Sequence, residues 1–285
     1  IVCMSSSYVA FLEALGADST ICAISGTGYI WSDKVRNRIA GGEIAEAGFD
    51  NSLNFEKLVA LKPDVVFLYG LTGKNAVTDK LHELGLKTVY IGDYVENNPL
   101  GRAEWITVFG EFTGRRELAR TLFDSISNEY NRAKALVSGV EKRPEVMLNA
   151  PWQDSWFVPG DRSYMVRLLE DAGGNYACRG VDSDQSRPIS TETAFVAASQ
   201  SDFWLSPGTA TSLAELNAMN PRFGSIPPVR NGNVYNNNAR TTPEGGSDFW
   251  ESGVLRPDRV LADLVHIFHP ELSETDELYY YRQLE

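Results

Sequence analysis

The chain has 285 residues and a formal net charge of −12, with 43% hydrophobic and 22% charged residues. This composition is ordinary for a globular protein, and the negative charge argues against a nucleic-acid partner and against docking on anionic lipid. No apolar run approaches the roughly 20 residues that a transmembrane helix needs. At this length, two lobes of about 110–140 residues fit better than one core.

Strands alternate with helices along the first 112 residues. The predicted strands are 1–4, 20–24, 65–69 and 88–91, and the predicted helices are 9–15, 54–61, 76–84 and 100–112. A turn-rich loop, residues 25–31, follows the second strand and carries Tyr29 and Trp31. Strands separated by helices at this spacing predict a parallel sheet that is covered on both faces.

The longest predicted helix lies within residues 113–141. After Gly114 the chain contains no Gly or Pro up to Ser138, and apolar residues recur at three- and four-residue steps. Thr113 could cap the start of this helix and Gly139 could end it. With a rise of about 1.5 Å per residue it would be a rod of roughly 40 Å. We expect it to join two lobes as a near-rigid connection.

The second half repeats the plan of the first. The predicted strands are 144–149, 202–205 and 234–235, and the predicted helices are 163–172, 191–199, 212–219 and 257–268. The sequence therefore predicts an α/β fold, with two Rossmann-like α/β lobes joined by one long α-helix and a ligand cleft between the lobes. Residues 1–112 form the first lobe, 113–143 the connecting helix and 144–285 the second lobe. In open parallel sheets ligands bind beyond the carboxyl ends of the strands.

Several short motifs occur in a recognisable order along the chain. The most specific is residues 53–66, Leu-Asn-Phe-Glu-Lys-Leu-Val-Ala-Leu-Lys-Pro-Asp-Val-Val. The others are the opening strand with its Leu-Gly-Ala helix end, Ala-Gly-Gly-Asn at 172–175, Val-Arg-Asn-Gly at 229–232, and the Arg-Pro start and His-Pro end of the last helix. Together they resemble the periplasmic substrate-binding proteins of ABC importers for iron-siderophores and vitamin B12, the helical-backbone class III.

The resemblance implies a binding protein rather than an enzyme, and a monomer that needs no cofactor. Such a protein captures a metal chelate outside the cytoplasm, in the periplasm or its equivalent, and delivers it to an ABC permease in the inner membrane. It also implies a lipid anchor on a cysteine that precedes the given residues, and one docking glutamate in each lobe. In the second lobe the candidate is Glu215, whereas Asn75, Asp79 and Glu83 give no clean counterpart in the first.

Aromatic residues cluster after the predicted strand ends, where they favour a wall for a large, flat, partly apolar ligand. The first lobe contributes Tyr8, Tyr29, Trp31 and Tyr94, and the second contributes Trp152, Trp156, Phe157, Phe249 and Trp250. Arg187 and Arg240 are the best-placed partners for an anionic ligand, ahead of Arg162 and Arg179. We therefore expect a ferric siderophore, with cobalamin next and haem third.

Other readings are weaker. A chelatase-type two-lobed enzyme, or a bare zinc or manganese site, is disfavoured by the positions of His82, His266 and His269. A further alternative is a binding protein that is retained at the cell surface and has no permease. Cys3 and Cys22 are expected to be buried thiols rather than a disulfide.

A glycosidase-type pair of carboxylates is also a weak reading. The candidate acids are Asp93, Asp154, Asp248 and Glu251. All four fall in predicted loops, so we expect them to be solvated.

Overall fold

The computed structural model describes residues 1–49, 52–70, 76–152, 155–180, 182–274 and 277–285. The chain forms two compact units, and each contains more than one stretch of sequence. Unit 1 consists of Ile1–Glu96, Gly101–Asp124 and Thr241–Leu255. Unit 2 consists of Asn97–Leu100, Ser125–Arg240 and Arg256–Glu285.

Unit 1 is built on a five-stranded parallel sheet with the strand order β3-β2-β1-β4-β5. Its strands are β1 (Val2–Cys3), β2 (Ala23–Ile24), β3 (Ala45–Glu46), β4 (Val66–Tyr69) and β5 (Thr88–Ile91). The helices up to the connecting one are α1 (Ser6–Ala14), α2 (Asp33–Ala40), α3 (Phe55–Leu61), α4 (Ala76–Glu83), α5 (Pro99–Glu104), α6 (Ile106–Thr113) and α7 (Arg116–Leu136). In its core the ring of Phe109 packs against those of Phe11 and Phe67, with centroids 4.9 and 5.0 Å away.

Unit 2 contains a second five-stranded sheet, in the order β13-β12-β11-β6-β9, and a separate three-stranded sheet, in the order β10-β8-β7. The strands are β6 (Glu145–Leu148), β7 (Pro151–Trp152), β8 (Ser155–Val158), β9 (Asn175–Tyr176), β10 (Arg187–Ser190), β11 (Phe203–Leu205), β12 (Val234–Asn236) and β13 (Arg282–Gln283). The helices of this unit are α8 (Tyr164–Asp171), α9 (Thr191–Ser199), α10 (Leu213–Met219), α11 (Pro227–Arg230) and α13 (Pro257–Phe268), whereas α12 (Ser252–Leu255) belongs to unit 1. The larger sheet is parallel except for β13 at its edge. The predicted α/β class is confirmed.

The predicted long helix begins later than expected. Gly114 adopts a left-handed conformation with φ of 68° and ends α6, so Thr113 is the last residue of α6 rather than the cap of the next helix. The helix α7 then starts at Arg116 and ends at Leu136. Along the chain it passes from unit 1 into unit 2, since the division falls after Asp124.

The segment Thr241–Leu255, called the strap below, belongs to unit 1, although we predicted it in the second lobe. Apolar burial explains this, because Phe249, Val254 and Leu255 are all buried and α12 packs against α1. The predicted boundary at residue 144 is therefore wrong for the strap.

All three cysteines are free thiols, so the disulfide between Cys3 and Cys22 does not form. Cys3 and Cys178 are buried, and Cys22 is half-buried. Within the described ranges, no helix combines the length and the apolar character needed to span a membrane.

Candidate ligand-binding surfaces

Unit 1 exposes aromatic rings where its parallel strands end. Tyr69 closes β4 and Tyr94 follows β5, and their ring centroids lie 6.4 Å apart at right angles. Tyr29, after β2, lies 6.3 Å from Phe49, after β3. All four rings are roughly half exposed. Tyr69 and Phe49 were missed in the sequence; the last residue of the apolar run 65–69 could have identified Tyr69, whereas β3 is too short to predict.

Tyr8 does not belong to this surface. We predicted it in a loop, but it lies in α1 and is fully buried. Its hydroxyl donates to the carbonyls of Leu68 and Ile91 at 3.4 Å each, and its ring packs against Phe67 and Phe109. Burial raises the pKa of the Tyr8 hydroxyl well above its usual value, chiefly by desolvation. Core packing accounts for this residue.

The loop acids are buried, contrary to expectation. Asp93 and Asp248 are nearly inaccessible, and so is Glu251. Desolvation raises the pKa of Asp93, although its carboxylate accepts a 2.8 Å hydrogen bond from the Ser7 hydroxyl. Arg102 donates to the carbonyl of Asp93 at 3.0 Å. These acids hold loops in place rather than facing solvent. Asp154 lies outside the described residues.

In unit 2 the predicted loop 151–157 contributes two strands, β7 and β8. Alternation along β8 buries Trp156 completely, with its indole N–H donating to the carbonyl of Leu148 at 3.0 Å. Trp152 and Phe157 lie on the opposite face, and Trp152 is 71% exposed. We predicted both tryptophans as ligand contacts; Trp156 is part of the core, whereas Trp152 keeps that prediction.

The turn from β6 into this hairpin is held by Asn149. Its backbone is left-handed, with φ of 63°, and its side-chain amide donates to the carbonyl of Phe157 at 3.0 Å. Its own carbonyl accepts a 2.7 Å hydrogen bond from the indole of Trp204. These hydrogen bonds fix the backbone at the carboxyl end of β6, just before the strands that carry the exposed side chains of Trp152 and Phe157.

Most of the predicted arginines have partners within unit 2. Arg162 pairs with Asp182, and Arg179 pairs with Glu170. The guanidinium of Arg240 lies 4.3 Å from the ring centroid of Tyr279. Arg187 differs, because its Nε atom is buried and has no hydrogen-bond partner among the described residues. The contacts of Arg162, Arg179 and Arg240 reduce the positive charge that is available to bind an anionic ligand.

The two aromatic residues of the strap belong to unit 1. Phe249 is buried and packs edge-on against Trp250, with centroids 4.7 Å apart. Trp250 is roughly half exposed, and Trp31 is partly exposed. Trp250 and Trp31 keep the prediction of ligand contact, whereas Phe249 fills the space beneath Trp250.

The predicted docking residue Glu215 caps its own helix. Its carboxylate accepts from the backbone N–H and the hydroxyl of Thr211, at 2.7 and 2.9 Å, and its backbone N–H donates to Ser212. These hydrogen bonds lower the pKa of Glu215. Docking by Glu215 stays a prediction. In the first half, Asp79 and Glu83 lie in α4, and Asn75 lies outside the described residues.

The histidines lie away from the strand ends. The ring of His82 forms a hydrogen bond with the Thr88 hydroxyl at 2.7 Å, that of His266 with the Ser273 hydroxyl at 3.1 Å, and that of His269 with the Gly173 carbonyl at 3.2 Å. Within the part of the chain that the structure describes, no cluster of three or more His, Cys, Asp or Glu could hold a metal ion.

Sequence comparisons give one family and several relatives. The model of the family described as "Periplasmic binding protein" matches residues 1–241. An uncharacterized lipoprotein of Methanocaldococcus jannaschii is 28% identical over 280 residues, which cover 95% of this chain and 65% of that protein. The chain thus spans slightly less than two thirds of that relative.

Two of the solved structures with the same fold are a haem-binding and a vitamin B12 binding protein. A periplasmic haem-binding protein from Pseudomonas aeruginosa matches with a TM-score of 0.75 and 17% identity, over 100% of this chain and 97% of that chain. A periplasmic vitamin B12 binding protein of Vibrio cholerae matches with a TM-score of 0.67 and 12% identity, over 93% of this chain and 94% of that chain. At these identities the likeness concerns the fold.

Proposed function

The chain belongs to the periplasmic binding protein family, and from this premise we propose that it captures a metal tetrapyrrole for an ABC importer. The observation that carries the proposal is a contrast between the aromatic and the positively charged side chains near the strand ends. Aromatic rings are exposed there in both units, whereas three of the four candidate arginines already have acidic or aromatic partners. A wide, weakly charged chelate such as a corrinoid suits this surface better than a strongly anionic one.

The exposed aromatic area in each unit supports a ligand of this class. A buried Tyr or Trp side chain removes about 150–250 Å² from water, and stacked rings add about 0.5–1.5 kcal/mol each. Tyr69, Tyr94 and Trp152 are exposed enough to contribute in this way. The haem- and vitamin B12-binding proteins of the same fold support the ligand class. The family consists of binding proteins, so we do not propose a chelatase.

A ferric siderophore, which is the first expectation from the sequence, becomes the second candidate here, and Arg187 supports it. Its Nε atom is buried without an acceptor among the described residues, and an unsatisfied buried donor costs roughly 1–3 kcal/mol. An oxygen of an anionic chelate would satisfy that donor if a ligand-induced movement brought the two together. Capture outside the cytoplasm, delivery to a permease and a lipid anchor belong to the proposal under either ligand, supported by the family and by the lipoprotein relative.

Titration with three chelates tests the ligand class. Cyanocobalamin, haemin and a ferric catecholate are each added to wild type, Trp152→Ala and Arg187→Ala, with absorption and tryptophan fluorescence as readouts. We expect a tetrapyrrole to bind, and Trp152→Ala to weaken it about tenfold, which corresponds to about 1.4 kcal/mol. Arg187→Ala should leave tetrapyrrole binding unchanged.

The control for Arg187→Ala is Arg179→Ala, which removes an arginine that is already paired with Glu170. Tight binding of the ferric catecholate that is lost in Arg187→Ala but kept in Arg179→Ala would reverse the order of the two candidates. Failure of all three chelates to bind would contradict both.

A further inference from the structure

Residues 26–32, called the aromatic loop below, connect β2 to α2 and carry Tyr29 and Trp31. Tyr29 is roughly half exposed and Trp31 partly exposed. Two carboxylates that lie elsewhere in the sequence bind the backbone of this loop, one near its start and one near its end. Neither was predicted to have a role in ligand binding.

Glu46, at the end of β3, binds the start of the aromatic loop. One of its carboxylate oxygens accepts from the backbone N–H groups of Gly26 and Gly48, both at 2.9 Å. The other accepts from the backbone N–H and the hydroxyl of Thr27, at 2.7 and 2.8 Å. Four donors therefore converge on one carboxylate, an arrangement that a neutral amide cannot reproduce.

Glu251, in the strap, binds the end of the aromatic loop. Its two oxygens accept from the backbone N–H groups of Trp31 at 2.8 Å and of Ser32 at 3.0 Å. The Ser32 hydroxyl in turn accepts from the N–H of Val35 and caps α2. Glu251 is only 2% exposed. A buried side chain of the strap thus fixes both the end of the loop and the start of the next helix.

The strap also contacts the middle of the aromatic loop. The Thr242 hydroxyl donates to the carbonyl of Gly28 at 3.1 Å. A Cβ atom on Gly246 would lie 2.1 Å from the carbonyl oxygen of Tyr29, so only glycine permits this approach. The strap backbone is therefore in direct contact with the residue that presents the exposed tyrosine ring.

We propose that Glu46 and Glu251 are positioning residues that preorganise the aromatic loop for ligand contact, Glu46 by holding the start of the loop and Glu251 by holding its end to the strap. The inference rests on the proposed function in one respect, that the loop contacts the ligand. Preorganisation raises affinity because the cost of ordering the loop is met before the ligand arrives.

Burial sets the protonation of Glu251. Desolvation raises its pKa to about 7, and this outweighs the two N–H groups, which lower it. Asp248 in the strap and Glu13 in α1 raise the pKa further. In the first turn of α2, the Asp33 carboxylate is exposed and pairs with Arg36. The neighbouring acids therefore oppose ionisation of Glu251.

The sign of the pH effect follows from linkage. A carboxyl whose pKa is higher in the docked strap than in water takes up a proton when the strap docks, so acid favours docking. That stabilisation is fully present below the ordinary glutamate pKa of 4.5 and is lost as pH rises through about 7. Glu46 behaves in the opposite way. Partial burial raises its pKa, but the hydrogen bonds from Thr27, Gly26 and Gly48 outweigh this and hold the pKa below its usual value.

Amide hydrogen exchange of the ligand-free protein tests the positioning roles. Protection factors of the Trp31 and Ser32 amides are measured at about pH 5 and about pH 8, on either side of the range in which Glu251 titrates. In wild type we expect protection to be about tenfold or more greater at the lower pH. Glu251→Gln cannot titrate, so its protection should be the same at both pH values, and it should lie below that of wild type at about pH 5, because an amide has one acceptor oxygen for the two N–H groups.

Two further variants sharpen the comparison. Glu46→Gln should lower the protection of Thr27 at both pH values and keep the pH dependence at Trp31. Glu244→Gln, which alters an exposed carboxylate of the same strap, should match wild type. Protection of Trp31 that does not change with pH in wild type, or that still changes in Glu251→Gln, would overturn the proposal.

Ligand titration separates this inference from the proposed function. For cyanocobalamin or haemin, the ratio of the Glu251→Gln affinity to the wild-type affinity should be several-fold larger at pH 8 than at pH 5. If Glu46→Gln and Glu251→Gln change the amide exchange of the loop but leave the ligand affinity unchanged, the claim that the loop contacts the ligand would be overturned. The exchange pattern without binding of any chelate would uphold the positioning of the loop and refute the proposed ligand class.

Discussion

Gly110 allows α6 to lie directly against the start of α7. A Cβ atom at this position would come within 2.6 Å of the Cβ of Ala119 and 3.3 Å of the carbonyl oxygen of Arg115. Ala119 is fully buried and has no space to retreat. Overpacking costs about 1–3 kcal/mol and alanine gains roughly 1 kcal/mol as a helix former, so we expect Gly110→Ala to lower the free energy of unfolding by a net of about 1–2 kcal/mol.

Urea denaturation followed by circular dichroism measures this change. The matched control is Gly139→Ala, since a Cβ atom at Gly139 would meet no other atom within 4 Å. That variant should lie within about 0.5 kcal/mol of wild type. Equal stability of the two variants would show that α6 and α7 can shift apart at no cost.

Single residues were hardest to predict where their partners are distant in sequence. The sequence predicts a solvated loop acid at Glu251, yet Glu251 accepts hydrogen bonds from the backbone N–H groups of Trp31 and Ser32. The sequence around it contains no sign of burial, because the donors come from the other end of the chain. Tyr29 and Trp31 were found more easily, because a loop after a strand of a parallel sheet is itself the signal.

The hairpin of β7 and β8 divides its aromatic residues between two roles. Trp156 packs against Trp204 and Phe223, with centroids 5.4 and 6.0 Å away, whereas Trp152 is mostly exposed. Trp156→Ala should therefore destabilise unit 2 by about 3–5 kcal/mol. Trp152→Ala should change stability by less than about 0.5 kcal/mol. Thermal unfolding of the two variants measures the contrast, and similar losses would mean that the exposed ring is also structural.

Elements with a clear pattern were predicted, and very short ones were not. The run 65–69 and the helices with three- and four-residue steps have counterparts in β4, α3 and α13. Strands of two residues, such as β3 and β9, offer no periodicity to detect. The sequence predicts a loop at 151–157. The structure has strands there, and in β8 buried and exposed side chains alternate around Trp156, as in a half-buried strand.

At the scale of the whole molecule, the order of elements was predictable but the membership of the strap was not. Strand–helix alternation indicates two α/β units from local pattern alone. That Thr241–Leu255 packs with unit 1 depends on the fit of α12 against α1, a tertiary contact between distant segments. The family motifs share this limit, because they mark elements rather than the contacts between them.

Net charge makes the salt dependence of binding a test of the cargo. A protein of charge −12 repels an anionic ferric chelate, and this repulsion is screened as the Debye length falls from about 10 Å at 0.1 M salt to about 3 Å at 1 M. If aromatic area holds a weakly charged corrinoid, the Kd of cyanocobalamin should change by less than about twofold over this range. Any weak binding of a ferric catecholate should become tighter.

Calorimetric titration at several salt concentrations measures how the Kd of each ligand, cyanocobalamin and the ferric catecholate, depends on salt. Arg187→Ala serves as the control. Under the corrinoid proposal, the Kd of cyanocobalamin should be nearly independent of salt in Arg187→Ala as well, because no arginine is needed to neutralise the ligand. Catecholate binding that weakens with salt in wild type, and loses that dependence in Arg187→Ala, would show a short-range attraction that exceeds the repulsion of the whole protein. Such a result would make the ferric siderophore the better candidate, because only a strongly anionic ligand gains from that contact.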